Sequence, residues 1–262
     1  AGDGVRVAPR RSGMTAERVV TAVRRWDWFT VRTMLGHTLL ETIHSLPTHA
    51  HAAAFLRHAE RFPILAAADH TLAELTPNGN AAAEAFGTKV TGFDRVRIFH
   101  SPVKRCRQTA EGIARGLATA GCAVEIVGAA ETLGVDYIVD PAETARLATE
   151  HGDHFIRLWF SGQVGPTVIR DAEQIVARKL TYLNERLQEP CPQGRRLDLH
   201  VSHDWNILTL REMVCGVRHE EAGWLNFLDG VAFSPEVTGL RVVYRHRVVM
   251  RPWPVSCPTV AD

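Results

Sequence analysis

Arg57-His58-Ala59-Glu60-Arg61-Phe62-Pro63 decides how the rest of the chain reads. An apolar run, residues 52–56, leads straight into it. Two arginines flank one histidine, and a proline follows. Guanidinium forks grip a phosphate dianion bidentately and stay charged at any working pH. A histidine that is neutral on its attacking nitrogen can take a phosphoryl group covalently. In isolation the same seven residues would pass for a charged surface loop. Two further clusters, at equivalent points of the chain, change that.

Residues 52–56 read as a short buried strand, and so do residues 96–100, 123–127 and 197–201. Helices are expected between them. Thr76-Pro77-Asn78-Gly79 has the form of a helix start, with Pro77 pre-set for the first turn and Gly87 able to cap the far end. Residues 103–119 form a second helix closed by Gly121, residues 171–187 a third, and residues 205–214 a fourth before Gly216. Residues 231–233 and 240–250 are β-like, joined through Thr238-Gly239. Strands alternating with helices argue for an α/β fold, a three-layer α/β/α sandwich around a mostly parallel sheet. Residues 129–170 are the least regular stretch and read as a small cap insertion beside a site.

Ahead of this body, residues 1–13 read as a loose arm and residues 14–46 as two helices broken near Asp27. Leu35, Leu39, Ile43 and Leu46 share one stripe, and Val19, Val23 and Trp26 another. These helices are expected to pack on the main domain. Trp26, Trp28 and Phe29 offer the alternative of a lid or dimer contact. The division is therefore an N-terminal unit, 1–50, and a catalytic domain, 51–262.

Composition narrows the function. With 45% hydrophobic and 23% charged residues in 262, the chain can bury a large core. A net charge of +1 without a long basic block gives no reason to expect a nucleic-acid partner. No apolar run is long enough for a membrane span, and no signal pattern opens the chain. Cys106, Cys122, Cys191, Cys215 and Cys257 include no C-x-x-C pair, so a reduced, cytoplasmic chain is expected. His44, His49 and His51 match no metal-ligand spacing and read as helix-end histidines, and no metal or other cofactor is expected.

Three polar clusters then follow three strands. Arg57-His58 follows residues 52–56, Ser101-Pro102 follows 96–100, and Ser202-His203-Asp204 follows 197–201. Ligands of open α/β sheets bind outside the carboxyl ends of strands, so the three can converge on one crevice. Arg105 falls in the first turn of its helix, where free backbone N–H groups favour an anion. Lys104 and Arg107 read as ordinary exposed charges of that helix start.

Together the clusters resemble the histidine phosphatase superfamily, which includes phosphoglycerate mutases and histidine acid phosphatases. Residues 57–63 look like its R-H-G-x-R-x-P signature. Ser101 to Ala110 looks like its S-P-x-x-R-x-x-Q-T-A helix start, and His203-Asp204 like the H-D pair of the acid-phosphatase branch. The resemblance runs from about residue 52 to residue 216. It implies a phosphoglycerate mutase-like fold and a metal-independent phosphomonoesterase. In it His58 becomes phosphohistidine, Arg57, Arg61 and Arg105 bind the phosphate, and His203 hydrogen-bonds it. Asp204 protonates the leaving alcohol, so it is expected to carry its proton when substrate is bound. Catalysis of this kind is mostly positioning and charge stabilisation, which three arginines can supply.

Two departures from the pattern matter. Ala59 stands where the family has glycine, which is harmless if the position needs only a small side chain and strained if it needs positive φ. The mutase branch takes its proton donor from a glutamate on another loop, for which Glu131 is the second choice here. Asp136 and Tyr137 are assigned ordinary loop roles, and Phe155, Trp159 and Phe160 core packing rather than a pocket wall. The expected partner is a phosphorylated small molecule of unspecified identity, with a homodimer left open. A phosphomutase and a non-catalytic phospho-ligand sensor are the competing readings. Steady phosphate release, positional isomerisation, or binding without a phosphoenzyme separates the three.

Overall fold

A computed structural model describes residues 36–48, 51–64, 70–191 and 194–253. The expected arm, the break at Asp27, the stripe residues Val19, Val23 and Leu35, the aromatics Trp26, Trp28 and Phe29, and also His49 and Cys257 lie outside the described residues. Seven strands form one sheet: β1 (Ala52–Arg57), β2 (Arg95–His100), β3 (Ala123–Ala129), β4 (Arg196–Ser202), β5 (Gly230–Glu236), β6 (Gly239–Tyr244) and β7 (Arg247–Arg251). Their order is β3-β2-β4-β1-β5-β6-β7. The first four are mutually parallel. β5 turns back against β1, and β6 and β7 continue as antiparallel hairpins, so five of the seven strands run in one sense.

Among the described residues eight helices accompany the sheet: α1 (His37–His44), α2 (Pro77–Lys89), α3 (Lys104–Thr119), α4 (Pro141–His151), α5 (His154–Phe160), α6 (Ala172–Gln188), α7 (Asp204–Cys215) and α8 (His219–Ala222). β1 is buried along its whole length, as a central parallel strand covered on both faces must be. Its alternation sends Ala53 and Phe55 into a core with α5, α6 and α7. It sends Ala52, Ala54 and Leu56 into a second core with α1, α2 and α3. The result is the expected three-layer sandwich. Leu39, Ile43 and Leu46 join the second core, as their stripe requires.

Three readings change. Gly87 does not end α2, which continues to Lys89. A Cβ at Gly87 would come within 2.2 Å of the Ile113 carbonyl, so this glycine lets α2 and α3 pack in close contact. Residues 129–170 are more regular than their composition implies. They hold a 3₁₀ turn at Glu131–Leu133 and helices α4 and α5. Asp140 caps α4 by accepting from the Glu143 N–H, with Pro141 at its first position. The β-like residues 240–250 are two strands, because Arg245 takes φ +53° at the turn between them. Among the described residues no helix is long and apolar enough to cross a membrane, and Cys106, Cys122 and Cys215 are free thiols.

Candidate active site

Register brings the three polar clusters together. β4 lies between β1 and β2, with Ser202 opposite Arg57 and Val201 opposite His100. The next residue of each strand, His203, His58 and Ser101, therefore emerges at one edge of the sheet. The ladder extends one step further there. The His58 N–H donates to the Ser202 carbonyl (3.0 Å), and the Ser101 N–H to the Val201 carbonyl (2.9 Å). His58, Arg61, Arg105, His203 and Asp204 line one cavity of about 410 Å³.

The hydrogen bonds fix both imidazoles. His58 Nδ1 lies 2.8 Å from the Ala59 carbonyl oxygen. A carbonyl only accepts, so Nδ1 carries the hydrogen and Nε2 keeps its lone pair. Burial, with His203, Arg105 and Arg57 nearby, holds the His58 pKa well below the usual histidine range, so the ring is neutral. His203 has the opposite tautomer. The Arg105 guanidinium can only donate, and its Nη2 lies 3.0 Å from His203 Nδ1. Nε2–H of His203 then donates to Ser101 Oγ at 2.9 Å. Burial, with Arg105 and Arg57 adding to it, keeps His203 neutral too. The two rings meet edge to face, with centroids 5.7 Å apart. Cys106 lies 3.7 Å from His203, but burial pushes its thiol up to about 12 and it stays protonated.

Around this pair each motif residue acts as a brace. Ala59 has no left-handed φ, so the alanine is tolerated as a small, fully buried residue. Its N–H donates to Thr109 Oγ1 (3.0 Å), and that hydroxyl donates to the Arg105 carbonyl (2.8 Å). Gln108 Oε1 accepts from the Leu75 N–H, and Glu60 accepts from Thr76. Gly79 lets the start of α2 press on the loop, since a Cβ there would sit 2.0 Å from the Glu60 carbonyl oxygen. Arg105 also donates to the His70 carbonyl. Arg61 is half-buried at the cavity rim and bonds the Phe62 carbonyl (2.9 Å).

Arg57, expected among the phosphate ligands, is engaged by its neighbours in the fold. Its guanidinium donates to the Leu225 carbonyl, pairs with Asp204 Oδ2 at 3.0 Å and covers the Phe227 ring at 4.3 Å. It is not among the cavity-lining residues and reaches the site through Asp204. Asp204 Oδ2 also accepts from Trp224 Nε1 (3.3 Å). Glu131, the alternative donor, is exposed and outside the cavity lining.

Several participants escaped the sequence reading. Tyr137, assigned a loop role, is buried in the cavity wall and stacked on Trp159 at 5.5 Å. Asp136 instead pairs with Arg178. Phe155 and Trp159 are core residues as expected. Asn206 ties the start of α7 to the Leu133 and Gly134 carbonyls. The loop before β5 supplies Trp224, Leu225 and Phe227, with Leu228 held at φ +60° while its N–H donates to the Arg57 carbonyl. Trp224 and Phe227, two aromatics between Gly223 and Gly230, are the signal the sequence offers. Of the three histidines read as helix-end residues, His44 lies by Thr91 and His51 by Arg196. Glu212, His219 and Glu220 have the reach to share a metal ion, but Arg157 already bridges both carboxylates.

No curated protein matches the chain at a significant level. Among solved structures, a mycobacterial glucosyl-3-phosphoglycerate phosphatase is similar at 16% identity and a TM-score of 0.53, over 75% of this chain and 99% of that one. YhfR of Bacillus stearothermophilus is similar at 16% identity and 0.54, over 76% and 98%. A phosphoglycerate mutase from Bacillus anthracis is similar at 14% identity and 0.52, over 79% and 95%. At these identities the likeness establishes a shared fold. The sequence model of the histidine phosphatase superfamily (branch 1) matches residues 54–222, well over half of the 262, so the chain belongs to that superfamily.

Proposed function

We propose that this chain is a metal-independent phosphomonoesterase that works through a phosphohistidine on His58. The observation that carries the reading is the His58 tautomer. Nδ1–H is anchored on the Ala59 carbonyl, and a bare Nε2 shares a cavity with two arginines. In the first step Nε2 attacks phosphorus and the ester P–O bond breaks. Asp204 gives its proton to the departing alkoxide oxygen. As the ring gains positive charge, its Nδ1–H bond to Ala59 strengthens. In the second step the Asp204 carboxylate takes a proton from water, the water oxygen bonds phosphorus, and the P–N bond breaks to release inorganic phosphate.

Arg61 and Arg105 are the phosphate ligands in this scheme, and Arg57 holds Asp204 in place. His203 Nδ1 accepts from Arg105, so it can donate to a phosphate oxygen only after gaining a second proton. A dianion beside it favours that protonation. The test is a rapid-quench incubation with a ³²P-labelled phosphomonoester. Wild-type chain is expected to release inorganic phosphate steadily and to carry acid-labile label, and His58→Ala to do neither while keeping its fold by circular dichroism. Turnover surviving in His58→Ala refutes the nucleophile, and positional isomerisation without net release selects the mutase.

A further inference from the structure

Resting on the phosphatase reading above, we infer that the alcohol part of the substrate is uncharged and hydrocarbon-rich, an arylalkyl or branched alkyl group. The cavity is two-faced. Its catalytic end holds His58, Arg61, Arg105, His203 and Asp204. The facing wall is mostly carbon: Val135, Ile138, Ala145, Ala148 and the rings of Tyr137 and Trp205.

Helix α4 shows that this is a property of the wall and not of a few positions. At 100° per residue, its lining positions 141, 144, 145, 148 and 149 fall on one side. Its charged positions 143, 146 and 150 fall on the other. Those charges close on themselves, Arg146 bonding both Glu143 and Glu150. The two threonine hydroxyls in the lining are engaged as donors: Thr144 to the Val168 carbonyl (3.1 Å) and Thr149 to the Ala145 carbonyl (2.8 Å).

Among the described residues no cation on this wall can meet a second anionic group. Lys179 is buried behind the Tyr137 ring, 5.8 Å from its centroid. Arg178 pairs with Asp136, and Arg170 bonds the Asp136 carbonyl. His70 sits at the catalytic end, where its carbonyl holds Arg105. A carboxylate or second phosphate against this wall would be desolvated without a partner, and a sugar would leave hydroxyls unpaired. The wall is also preformed. Tyr137 and Trp205 both pack on Trp159, and the Arg170 N–H donates to the Tyr137 carbonyl at 2.8 Å.

Three primary alkyl phosphates keep the leaving oxygen comparable: 2-phenylethyl phosphate, glucose 6-phosphate and 3-phosphoglycerate. Wild-type chain is expected to show kcat/KM for the phenylethyl ester at least about tenfold above either other compound. Ala148→Arg places a cation on the wall, and is expected to lower the phenylethyl value and raise that for 3-phosphoglycerate. Equal or higher kcat/KM for either polar ester in wild type overturns the inference and leaves the His58 chemistry standing. An unchanged preference in folded Ala148→Arg does the same. Failure of all three esters to release phosphate or label the chain overturns the inference together with the phosphatase reading.

Discussion

Replacing Thr109 with valine tests whether the catalytic loop is held by a single hydroxyl. Thr109 is fully buried on α3, and its Oγ1 is the acceptor for the Ala59 N–H and a donor to the Arg105 carbonyl. Valine keeps the shape and removes both bonds. The Arg105 carbonyl retains its helical partner, but the Ala59 N–H is left buried and unpaired. Such a group costs about 1–3 kcal/mol. For a chain of this size each kcal/mol moves the midpoint by about 2–4 °C, so Tm should fall by roughly 2–12 °C in a calorimetric scan. Ala59 also carries the carbonyl that fixes the His58 tautomer. Freeing it lets the imidazole turn, and misplacement of about 1 Å can cost up to ~10²-fold in kcat. Thr109→Ser restores the hydroxyl and should recover both values. An unchanged Tm and kcat in Thr109→Val, or a serine variant as impaired as the valine one, would refute the reasoning.

Two further expectations concern protons. Asp204→Asn should slow an alkyl phosphate by about 10²–10⁴-fold, the usual contribution of a positioned acid, and 4-nitrophenyl phosphate far less, since its leaving group needs no proton; equal losses would reduce Asp204 to a tether for Arg57. On the acid side, His58, His203 and His200 all have folded pKa values below the ordinary histidine value of about 6.5, His200 pushed down to about 3 by burial between Phe55 and Phe99. Below about pH 6.5 the unfolded chain binds protons that the folded chain refuses, so stability is full above that pH and falls as pH drops. Each histidine adds about 1.4 kcal/mol per pH unit to that slope, for His200 down to about pH 3. Both ring nitrogens of His200 lack a partner, so His200→Leu should remove one histidine's share of the slope; urea titrations at pH 4 to 7 showing the same slope in the variant would contradict this.

How much of this was legible beforehand differs by element. Strand β1 and the start of α2 were readable because their signals are local: an apolar run, and Thr76 accepting from the Gly79 N–H ahead of Pro77. Gly87 misled, because a glycine near a helix end looks the same whether it caps or lets another helix approach. Only the position of Ile113 separates the two. The segment 129–170 looked irregular because its helices are short, and Tyr137 gained its place from Trp159 and the cavity, not from its neighbours in sequence.

The candidate site divides along the same line. Sequence alone singled out the candidate side chains, Arg57, His58, Arg61, Arg105, His203 and Asp204, and placed each cluster after a strand. Side-chain identity and strand periodicity are properties of a one-dimensional string. Tertiary structure decided the rest: that His58 and His203 hold opposite tautomers, that Arg57 pairs with Asp204, and that Phe227, far downstream, packs against the His58 ring. Those outcomes depend on which donor meets which acceptor once β4 is laid between β1 and β2. Hydrogen bonds act over about 3 Å, a distance the sequence does not encode until the chain is folded.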